Sequence, residues 1–382
     1  MRRKKQAPRK SKYLFLMFLI FFSINCRRKA EPFLSLLENK QPLFVCGADN
    51  SGHYYKFIQN YTVDQNGRIF LWDSYYGDHI DVYDDKGQFL FQFGRKGEGP
   101  GEFRAVGNVS VDSQGDIWVS SGNRKSLKIF SERGEYKEEV MLPKEIALAS
   151  IIKMVFNADD DLFLLCSFIG NKISLYRFDI KENQCQLIHS ESKRINAGLA
   201  SFKPDFTLDG EGNLYLTDAM DYRIYKYSKD GKLLFIQEAK DFKKERIVEE
   251  DFNVFADADF KIIRIPQYKE MMERLPGPSL YLPAIFGVNV DGDTIYVWTS
   301  KQDEMKRFII DVYDMKFNRR CRSCYFNWIK QNLSQIVKGK LYIPSIENEN
   351  IQFIKLVGRF TMLNFNDQLN VYAISSKLSN RR

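Results

Sequence analysis

The sequence predicts an all-β protein assembled from repeated units, and three observations lead to that prediction. Thirty-one Phe and 20 Tyr among 382 residues favour strands, because aromatic side chains pack well on a pleated surface. An aliphatic-aromatic-aliphatic triplet recurs along the chain, centred on Phe70, Trp118, Phe163, Tyr215, Tyr296 and Tyr342. These aromatics lie 48, 45, 52, 81 and 46 residues apart, and turn sequences precede most of them. That spacing is typical of the four-stranded blades of a β-propeller.

Each repeat reads as four antiparallel strands joined by tight turns. The first turn comes just before the triplet, in VDQNG (63–67), VDSQG (111–115), LDGEG (208–212) and VDGD (290–293). Asp and Asn bond their own backbone and Gly tolerates positive φ, so such sequences close hairpins. An alternating strand follows the triplet, and a second turn such as DDKG (84–87) leads to an outer strand. One unit cannot bury both of its faces alone, so neighbouring units must stack.

We predict six blades of four antiparallel strands, closed into a ring by strands from both chain termini. Near the C-terminus the stretch VYA (371–373) imitates the triplet only 30 residues beyond Tyr342, which is too short for a whole blade. The C-terminal strands either complete the sixth blade with N-terminal strands from 43–58, or form half of a seventh blade. Six is favoured, because mixing the two termini removes exposed sheet edges.

The first 26 residues have the order of an export signal. Seven Lys and Arg residues and no acid precede an apolar run at 13–22, and a lone Cys26 follows it. The run is too short for a helix that crosses a bilayer core of about 30 Å. The Cys after the run resembles the bacterial lipobox, which implies a lipid on Cys26. Ser23 and Asn25 depart from the usual lipobox residues, so ordinary secretion or an uncleaved anchor stays an alternative.

The chain divides into a signal peptide at 1–25, a linker at 26–42 and a propeller domain at 43–382. An insertion at about 241–278 accounts for the 81-residue spacing and reads as partly helical. The formal charge of the whole chain is +8, but removing 1–25 takes away seven cations and no acids. Fifty Lys and Arg residues then stand against 49 Asp and Glu, so the sequence predicts no nucleic-acid partner.

Two stretches, 89–136 and 208–234, resemble NHL repeats. They carry GPGEF at 99–103, the VDSQG turn, and the D-x4-R-I element that begins at Asp218. From about residue 43 the chain resembles the six-bladed propeller lipoproteins common in Bacteroidetes. That resemblance implies a lipid-anchored protein of the cell envelope, and pairing of Arg223 with Asp218. A periplasm-facing position is favoured over surface display, because basic rather than acidic residues follow Cys26.

Few residues have the chemistry of a catalytic or metal site. Cys166 and Cys185 fall on non-neighbouring strands, and the CxxC at 321–324 lies on an outer strand without a second zinc-ligand pair. The histidines are His53, His79 and His189. The turn carboxylates are too closely spaced for a Ca²⁺ loop, and GEGPG (97–101) lacks the lysine and helix of a P-loop, so it reads as an inter-blade crossing. We therefore expect no metal and no cofactor, and the balance is against an enzyme.

Loops between second and third strands and loops between blades gather at one mouth of a propeller. The candidate ligand-binding residues in these loops are Tyr75, Tyr76, Asp78, His79, Arg95, Arg104, Arg124, Asp221 and Tyr222. Mixed polar and aromatic side chains at a concave mouth suit a protein, peptide or glycan partner. We therefore predict a monomeric binding or scaffold module held at a membrane by its N-terminal lipid. A metal-dependent hydrolase or lyase of the lactonase type is the alternative.

Overall fold

The computed structural model describes residues 43–46, 55, 58–73, 78–121, 125–169, 172–192, 204–218, 220–240, 242–244, 283–302, 308–324, 335–338, 340–346 and 367–373. Within these ranges the chain forms 24 strands, and they make six antiparallel sheets of four strands each. The all-β propeller of six blades is therefore confirmed. No helix in the described part of the chain is long and apolar enough to cross a membrane.

The first strand, β1 (Phe44–Cys46), is followed by three blades built from consecutive strands. Blade 1 contains β2 (Ile58–Val63), β3 (Ile69–Asp73), β4 (Ile80–Tyr83) and β5 (Phe89–Phe93). Blade 2 contains β6 (Val106–Val111), β7 (Ile117–Ser121), β8 (Ser126–Phe130) and β9 (Tyr136–Met141). Blade 3 contains β10 (Ser150–Phe156), β11 (Leu162–Phe168), β12 (Lys172–Asp179) and β13 (Gln184–Ser192).

The next two blades repeat this arrangement, and the sixth takes one strand from the N-terminus. Blade 4 contains β14 (Phe206–Leu208), β15 (Leu214–Thr217), β16 (Arg223–Tyr227) and β17 (Leu233–Glu238). Blade 5 contains β18 (Ile285–Asp291), β19 (Thr294–Gln302), β20 (Phe308–Asp314) and β21 (Arg319–Cys324). Blade 6 contains β22 (Gln335–Val337), β23 (Lys340–Ile346), β24 (Asp367–Ala373) and, outermost, β1.

Strand β1 closes the ring. It pairs antiparallel with β24, so that Phe44 faces Val371 and Cys46 faces Leu369. The VYA stretch at 371–373 therefore belongs to the third strand of blade 6 and not to a seventh blade. Cys46 is fully buried and packs in one cluster with Tyr61 and Tyr342, which come from blades 1 and 6. The terminal strand thus contributes to the core as well as to the sheet.

The turns form as the sequence predicts, including where the motif is degenerate. In blade 1 the Asp64 carboxylate accepts backbone N–H bonds within its own turn, and Gly67 closes the turn at φ +85°. In blade 3 Asn157 takes the place of the Asp and accepts two backbone N–H bonds in the same way. Asp160 there adopts φ +62°, in the position that Gly holds elsewhere. These turns share one backbone shape, and more than one residue type can adopt it.

The core lies between neighbouring blades. Every residue of the second strands β3 and β7 is buried, whereas the outer strands β9 and β17 are mostly exposed. Between blades 1 and 2 the ring centroid of Phe130 lies 4.9 Å from that of Phe93 and 5.5 Å from that of Phe103. Burial of one such aromatic side chain stabilises the fold by about 1.5 to 3 kcal/mol. The triplet aromatics Phe70, Trp118, Phe163, Tyr215 and Tyr342 likewise pack in clusters that two neighbouring blades share.

Side-chain bonds also join the blades near the ring axis, where first strands of neighbouring blades contact each other. The bonded pairs, running from blade 1 to blade 6, are Thr62 with Val109, Asn108 with Ile151, Lys153 with Asp205, Asp205 with Val288, and Asn289 with Ile336. In each pair at least one partner is a side chain, and the donor-acceptor distances lie between 2.7 and 3.2 Å. The first strands therefore form a fixed frame for the loops at their ends.

Candidate functional site

One end of the ring carries the loops in which the candidate residues were predicted. Successive connections in an antiparallel blade alternate between the two ends, so second-to-third-strand loops share an end with the crossings between blades. We call this end the mouth face. Its described parts include the end of the β3–β4 loop, the β5–β6 crossing, the β9–β10 crossing and the β15–β16 loop. Hairpins such as 64–67 lie at the opposite end.

Asp78 and His79 form a polar pair at the start of β4. The Nδ1 atom of His79 lies 2.8 Å from Oδ1 of Asp78, and both side chains are half-buried. A carboxylate bonded to one ring nitrogen fixes the orientation of the imidazole. The pair therefore offers hydrogen-bonding groups at a defined place on the mouth face.

Arg95 and Arg104 lie in the β5–β6 crossing, and each is paired with a glutamate. Nε of Arg95 donates to Oε1 of Glu102 at 2.8 Å, and Nε of Arg104 donates to Glu98 at 2.5 Å. The backbone N–H of Gly99 and the Arg95 guanidinium hold the pKa of the Glu102 carboxyl below its ordinary value. Both arginines remain exposed. With the exposed Lys96 the crossing carries three cations and two acids, so it is not a strongly basic patch.

A buried lysine fastens the same crossing to blade 2. Lys128 in β8 is 3% exposed, and its Nζ donates to the carbonyl oxygens of Gly99 and Glu102 at 2.7 Å each. Gly101 adopts φ +73°, a conformation that side chains rarely tolerate. The stretch 97–101 thus forms the crossing between the first two blades, as the sequence predicts. The carbonyl oxygens of Gly99 and Glu102 therefore bond the ammonium group of Lys128.

Tyr222 has a different position from the one expected of a ligand-binding residue. It is 4% exposed, and its hydroxyl donates to Oδ2 of Asp311 at 2.8 Å and lies 2.6 Å from the hydroxyl of Tyr313. Burial, and next the charge of Asp311, raises the pKa of Tyr222 far above its ordinary value. Tyr222 belongs to the blade 4 loop and its partners to blade 5. We therefore assign it to the interface between these blades and not to the ligand face.

The same arrangement occurs in blade 1. The hydroxyl of Tyr55 donates to Oδ2 of Asp81 at 2.5 Å and lies 2.9 Å from the hydroxyl of Tyr83. Tyr55 precedes β2, whereas Asp81 and Tyr83 occupy β4 in the sequence IDVY, which recurs at 310–313 in β20. Burial raises the pKa of Tyr55 far above its ordinary value as well. Two blades thus use one buried Tyr-Asp-Tyr network to hold a neighbouring loop.

Four predicted ligand-binding residues remain, and the structure describes one of them, Asp221. Asp221 is half exposed, and its Oδ1 lies 2.6 Å from Nζ of Lys244, at the start of the insertion. Tyr75, Tyr76 and Arg124 fall outside the described residues. So does almost all of the predicted insertion. The described candidates with exposed polar groups are therefore Asp78, His79, Arg95, Arg104 and Asp221.

Two exposed apolar residues on the mouth face were missed from the sequence. Ile169, in the β11–β12 loop, is 100% exposed, and Leu148, in the β9–β10 crossing, is 76% exposed. Each lies two residues beyond the pair Ser150 and Ser167 that ends the β10–β11 ladder. For Ile169 a sequence signal was present, because it stands directly before Gly and Asn, residue types that favour turns over a core. Both are large apolar side chains left in water on loops of the mouth face.

Arg223 forms ion pairs with Asp218 and Glu238. Nη1 of Arg223 lies 3.4 Å from Oδ2 of Asp218, and its Nε bonds Glu238 at 2.6 Å.

Cys166 and Cys185 are free and lie on β11 and β13, and burial raises the pKa of each thiol to about 12. The residues that the structure describes contain no group of three His, Cys, Asp or Glu side chains that could hold a metal ion.

Six four-stranded antiparallel blades, the last completed by strand β1, define a six-bladed β-propeller. The family model DUF5128, described as "6-bladed beta-propeller", matches residues 61–253. The chain belongs to this family. Among curated proteins, no sequence matches it.

Two of the solved structures with a similar fold come from Bacteroides. A member of the duf4221 family from Bacteroides vulgatus has a TM-score of 0.53 at 16% identity, over 86% of this chain and 95% of its own. A putative exported protein from Bacteroides fragilis has a TM-score of 0.50 at 15% identity, over 79% and 83%. A virginiamycin B lyase from Staphylococcus aureus has a TM-score of 0.43 at 10% identity, over 84% and 81%, which is too low to carry an argument. These similarities support the fold alone.

Proposed function

We propose that this protein is a binding module of the bacterial cell envelope, and that its mouth face binds a polypeptide partner. The observation that supports this proposal is the pair of exposed aliphatic side chains, Ile169 and Leu148, on neighbouring mouth loops. Large apolar groups left in water at one place are typical of surfaces that bind other proteins. A glycan would instead call for aromatic platforms and hydrogen-bonding groups at the point of contact.

Other loops of the mouth face carry polar groups that suit the rim of such a surface. The Asp78–His79 pair and the Arg95–Glu102 pair are partly exposed and hydrogen-bonded within the protein. Polar side chains around an apolar contact exclude water and select for orientation, while the apolar centre supplies most of the affinity. The frame of bonded first strands keeps the loops in place, which lowers the entropic cost of binding.

Replacing the two exposed aliphatic side chains with aspartate should strongly weaken binding of the partner. For the variant Ile169→Asp, and more so for Ile169→Asp with Leu148→Asp, we expect at least about a tenfold loss of the partner captured from envelope extract, because a charge is placed where an apolar group was desolvated. Leu90→Asp, on the outer strand β5 near the opposite end of the ring, is the control and should capture as wild type does. Equal capture by Ile169→Asp and wild type would contradict the proposal.

The second part of the proposal is lipid anchoring through Cys26. It rests on the basic leader, the short apolar run and the Cys that follows it, all within residues 1–26. Because one acyl chain gives only marginal membrane binding, stable attachment requires the multiple chains of a processed lipoprotein. The periplasm-facing side of the envelope is the proposed location.

The variant Cys26→Ala tests the anchor. We expect it to lose labelling by a fatty-acid probe and to move from the membrane fraction to the soluble fraction. Cys46→Ala, which changes a buried core cysteine, is the control and should keep the label. Membrane association of Cys26→Ala at the wild-type level would instead mean that the apolar run at 13–22 anchors the chain.

A further inference from the structure

The mouth end of blade 3 combines exposed aliphatic and exposed cationic side chains. Leu148 is 76% exposed in the β9–β10 crossing, and the exposed Lys144 stands four residues before it. Ile169 is 100% exposed in the β11–β12 loop, and the exposed Lys172 follows it three residues later. We call these four residues the blade 3 loop surface. Each aliphatic side chain on it has a lysine close by in the same connection.

The core of blade 3 holds the backbone of both connections. Ile146 and Ala149, which flank Leu148, are fully buried, and the backbone N–H of Ala149 donates to the carbonyl oxygen of Ile146 at 2.9 Å. Phe168 and Lys172 form the last pair of the β11–β12 ladder, and Nζ of Lys172 lies 5.7 Å from the ring centroid of Phe168. An ammonium group is attracted to the face of an aromatic ring. The exposed side chains therefore extend from backbone that is fixed to the blade.

The acid next to Lys144 in the sequence, Glu145, lies towards the outer side of the blade. Burial, and next the charge of Glu145, raises the pKa of the Cys185 thiol to about 12. Cys185 belongs to β13, the outermost strand of blade 3, so the Glu145 carboxylate lies near that strand. The blade 3 loop surface thus carries two cations, with one acid placed to its outer side.

The opposite end of the ring is acidic. The eleven hairpin turns there, which join first to second and third to fourth strands within a blade, carry 15 Asp and Glu residues against 8 Lys and Arg residues. In blade 3 the turn at 157–161 alone holds three acids and no cation. An excess of one charge at one end of a protein repels a ligand of the same sign and steers it to the other end. An anionic partner is therefore directed towards the mouth face.

We propose that the polypeptide partner, whose binding at the mouth face is itself the proposed function, is an acidic segment that binds at the blade 3 loop surface. Its aliphatic side chains contact Leu148 and Ile169, and its Asp or Glu side chains pair with Lys144 and Lys172. In such an interface the apolar contact supplies most of the affinity, while the charged rim sets orientation and the rate of association.

An anionic membrane is another surface that aliphatic and lysine side chains suit, and the position of β1 argues against it. Strand β1 begins at the hairpin end, where Phe44 packs against Gly87 of the turn 84–88 and its ring centroid lies 5.4 Å from Nζ of Lys340. The chain that comes from Cys26 therefore reaches the ring at the end opposite to the mouth. A membrane that holds the proposed lipid is on the hairpin side, which leaves the mouth face for a partner in solution.

Selection from a phage library of random linear peptides tests the charge of the partner. The bait is the chain without residues 1–25 and with Cys26→Ala, so that it carries no lipid. We expect the selected peptides to be enriched in Asp and Glu as well as in Leu and Ile, relative to the unselected library. Selected peptides that are basic, or apolar without acids, would overturn the inference and leave polypeptide binding by the mouth face intact. A library from which no peptide is selected would contradict the proposed function itself, and the inference with it.

Charge reversal at the two lysines tests the place of binding. Fluorescence anisotropy with a synthetic copy of a selected peptide should show at least about tenfold weaker binding to the double variant Lys144→Glu with Lys172→Glu, because both positions then repel a carboxylate. Lys181→Glu with Lys316→Glu, at two exposed lysines of hairpin turns, is the matched control and should bind as wild type does. Equal binding by the first double variant and wild type would overturn the inference.

Flotation with vesicles of phosphatidylglycerol and phosphatidylethanolamine tests the membrane alternative. We expect the same lipid-free chain to stay out of the vesicle fraction, because the blade 3 loop surface binds a polypeptide. Flotation of the wild-type bait that the added change Ile169→Asp abolishes would assign this surface to a membrane, and that result would overturn the inference.

Discussion

Raising the pH above 10 should unfold this propeller steeply, because two buried tyrosines cannot ionise in place. Tyr55 and Tyr222 each donate a hydrogen bond to a buried carboxylate, and burial raises the pKa of both well above 10. In the unfolded chain a tyrosine loses its proton near pH 10, whereas in the folded protein it keeps it. The stabilisation is therefore complete below pH 10 and is lost as the pH rises towards the folded-state pKa values.

The expected slope follows from proton linkage. Each tyrosine lowers the free energy of unfolding by about 1.4 kcal/mol per pH unit above 10, so the two together contribute about 2.7 kcal/mol per unit. Urea unfolding at a series of pH values between 9 and about 11.5 measures this slope. A loss of that size over one and a half units is a large share of the stability of an ordinary domain.

A double variant tests whether these two tyrosines, and not other titrating groups, cause the loss of stability above pH 10. Tyr55→Phe with Tyr222→Phe removes both ionisations, so the slope above pH 10 should become shallower by about two protons. The variant should also be less stable at neutral pH, because Asp81 and Asp311 lose hydrogen-bond donors in buried places. Lysines titrate equally in both proteins and cancel in the comparison. Identical slopes for the double variant and wild type would exclude this explanation.

The blades were predictable because their signals are local. A turn such as VDQNG needs only its own residues: Asp64 bonds the backbone within its turn and Gly67 supplies the positive φ. The triplet needs only an aromatic at the point where two sheets meet, and the repeat sets the spacing. Where the motif fails, as at Asn157, the same backbone bonds are made by a different side chain. The repeated geometry is therefore readable even from imperfect copies.

The mouth was less predictable because its contacts join distant parts of the chain. Nothing near Tyr222 in the sequence indicates that its hydroxyl bonds Asp311, a residue 89 positions further on. A polar aromatic in a loop looks like a ligand contact when its partner comes from the next blade. Ile169 is fully exposed on the same face, and it was not among the predicted candidates. Burial of single loop residues depends on neighbours that local patterns do not specify.

Loss of β1 should destabilise the protein more than any surface change. The test compares a chain beginning at residue 43 with one beginning at residue 47, which differ by one short strand and one preceding residue. Without β1 the fully buried Cys46 and the half-buried Phe44 leave the cluster around Tyr342, which costs about 3 kcal/mol or more. The Lys340 ammonium, which lies 5.4 Å from the ring centroid of Phe44, loses that contact as well.

Removing β1 also leaves blade 6 with three strands. Strand β24 would become an unprotected edge beside the first blade, so we expect the shorter chain to aggregate on warming in addition to melting several degrees lower. Leu43→Ala in the longer chain is the matched control, because Leu43 is exposed and precedes the pairing, and it should melt as the unaltered protein does. Equal melting temperatures for the chains beginning at 43 and 47 would mean that blade 6 is stable with three strands and that closure by β1 is dispensable.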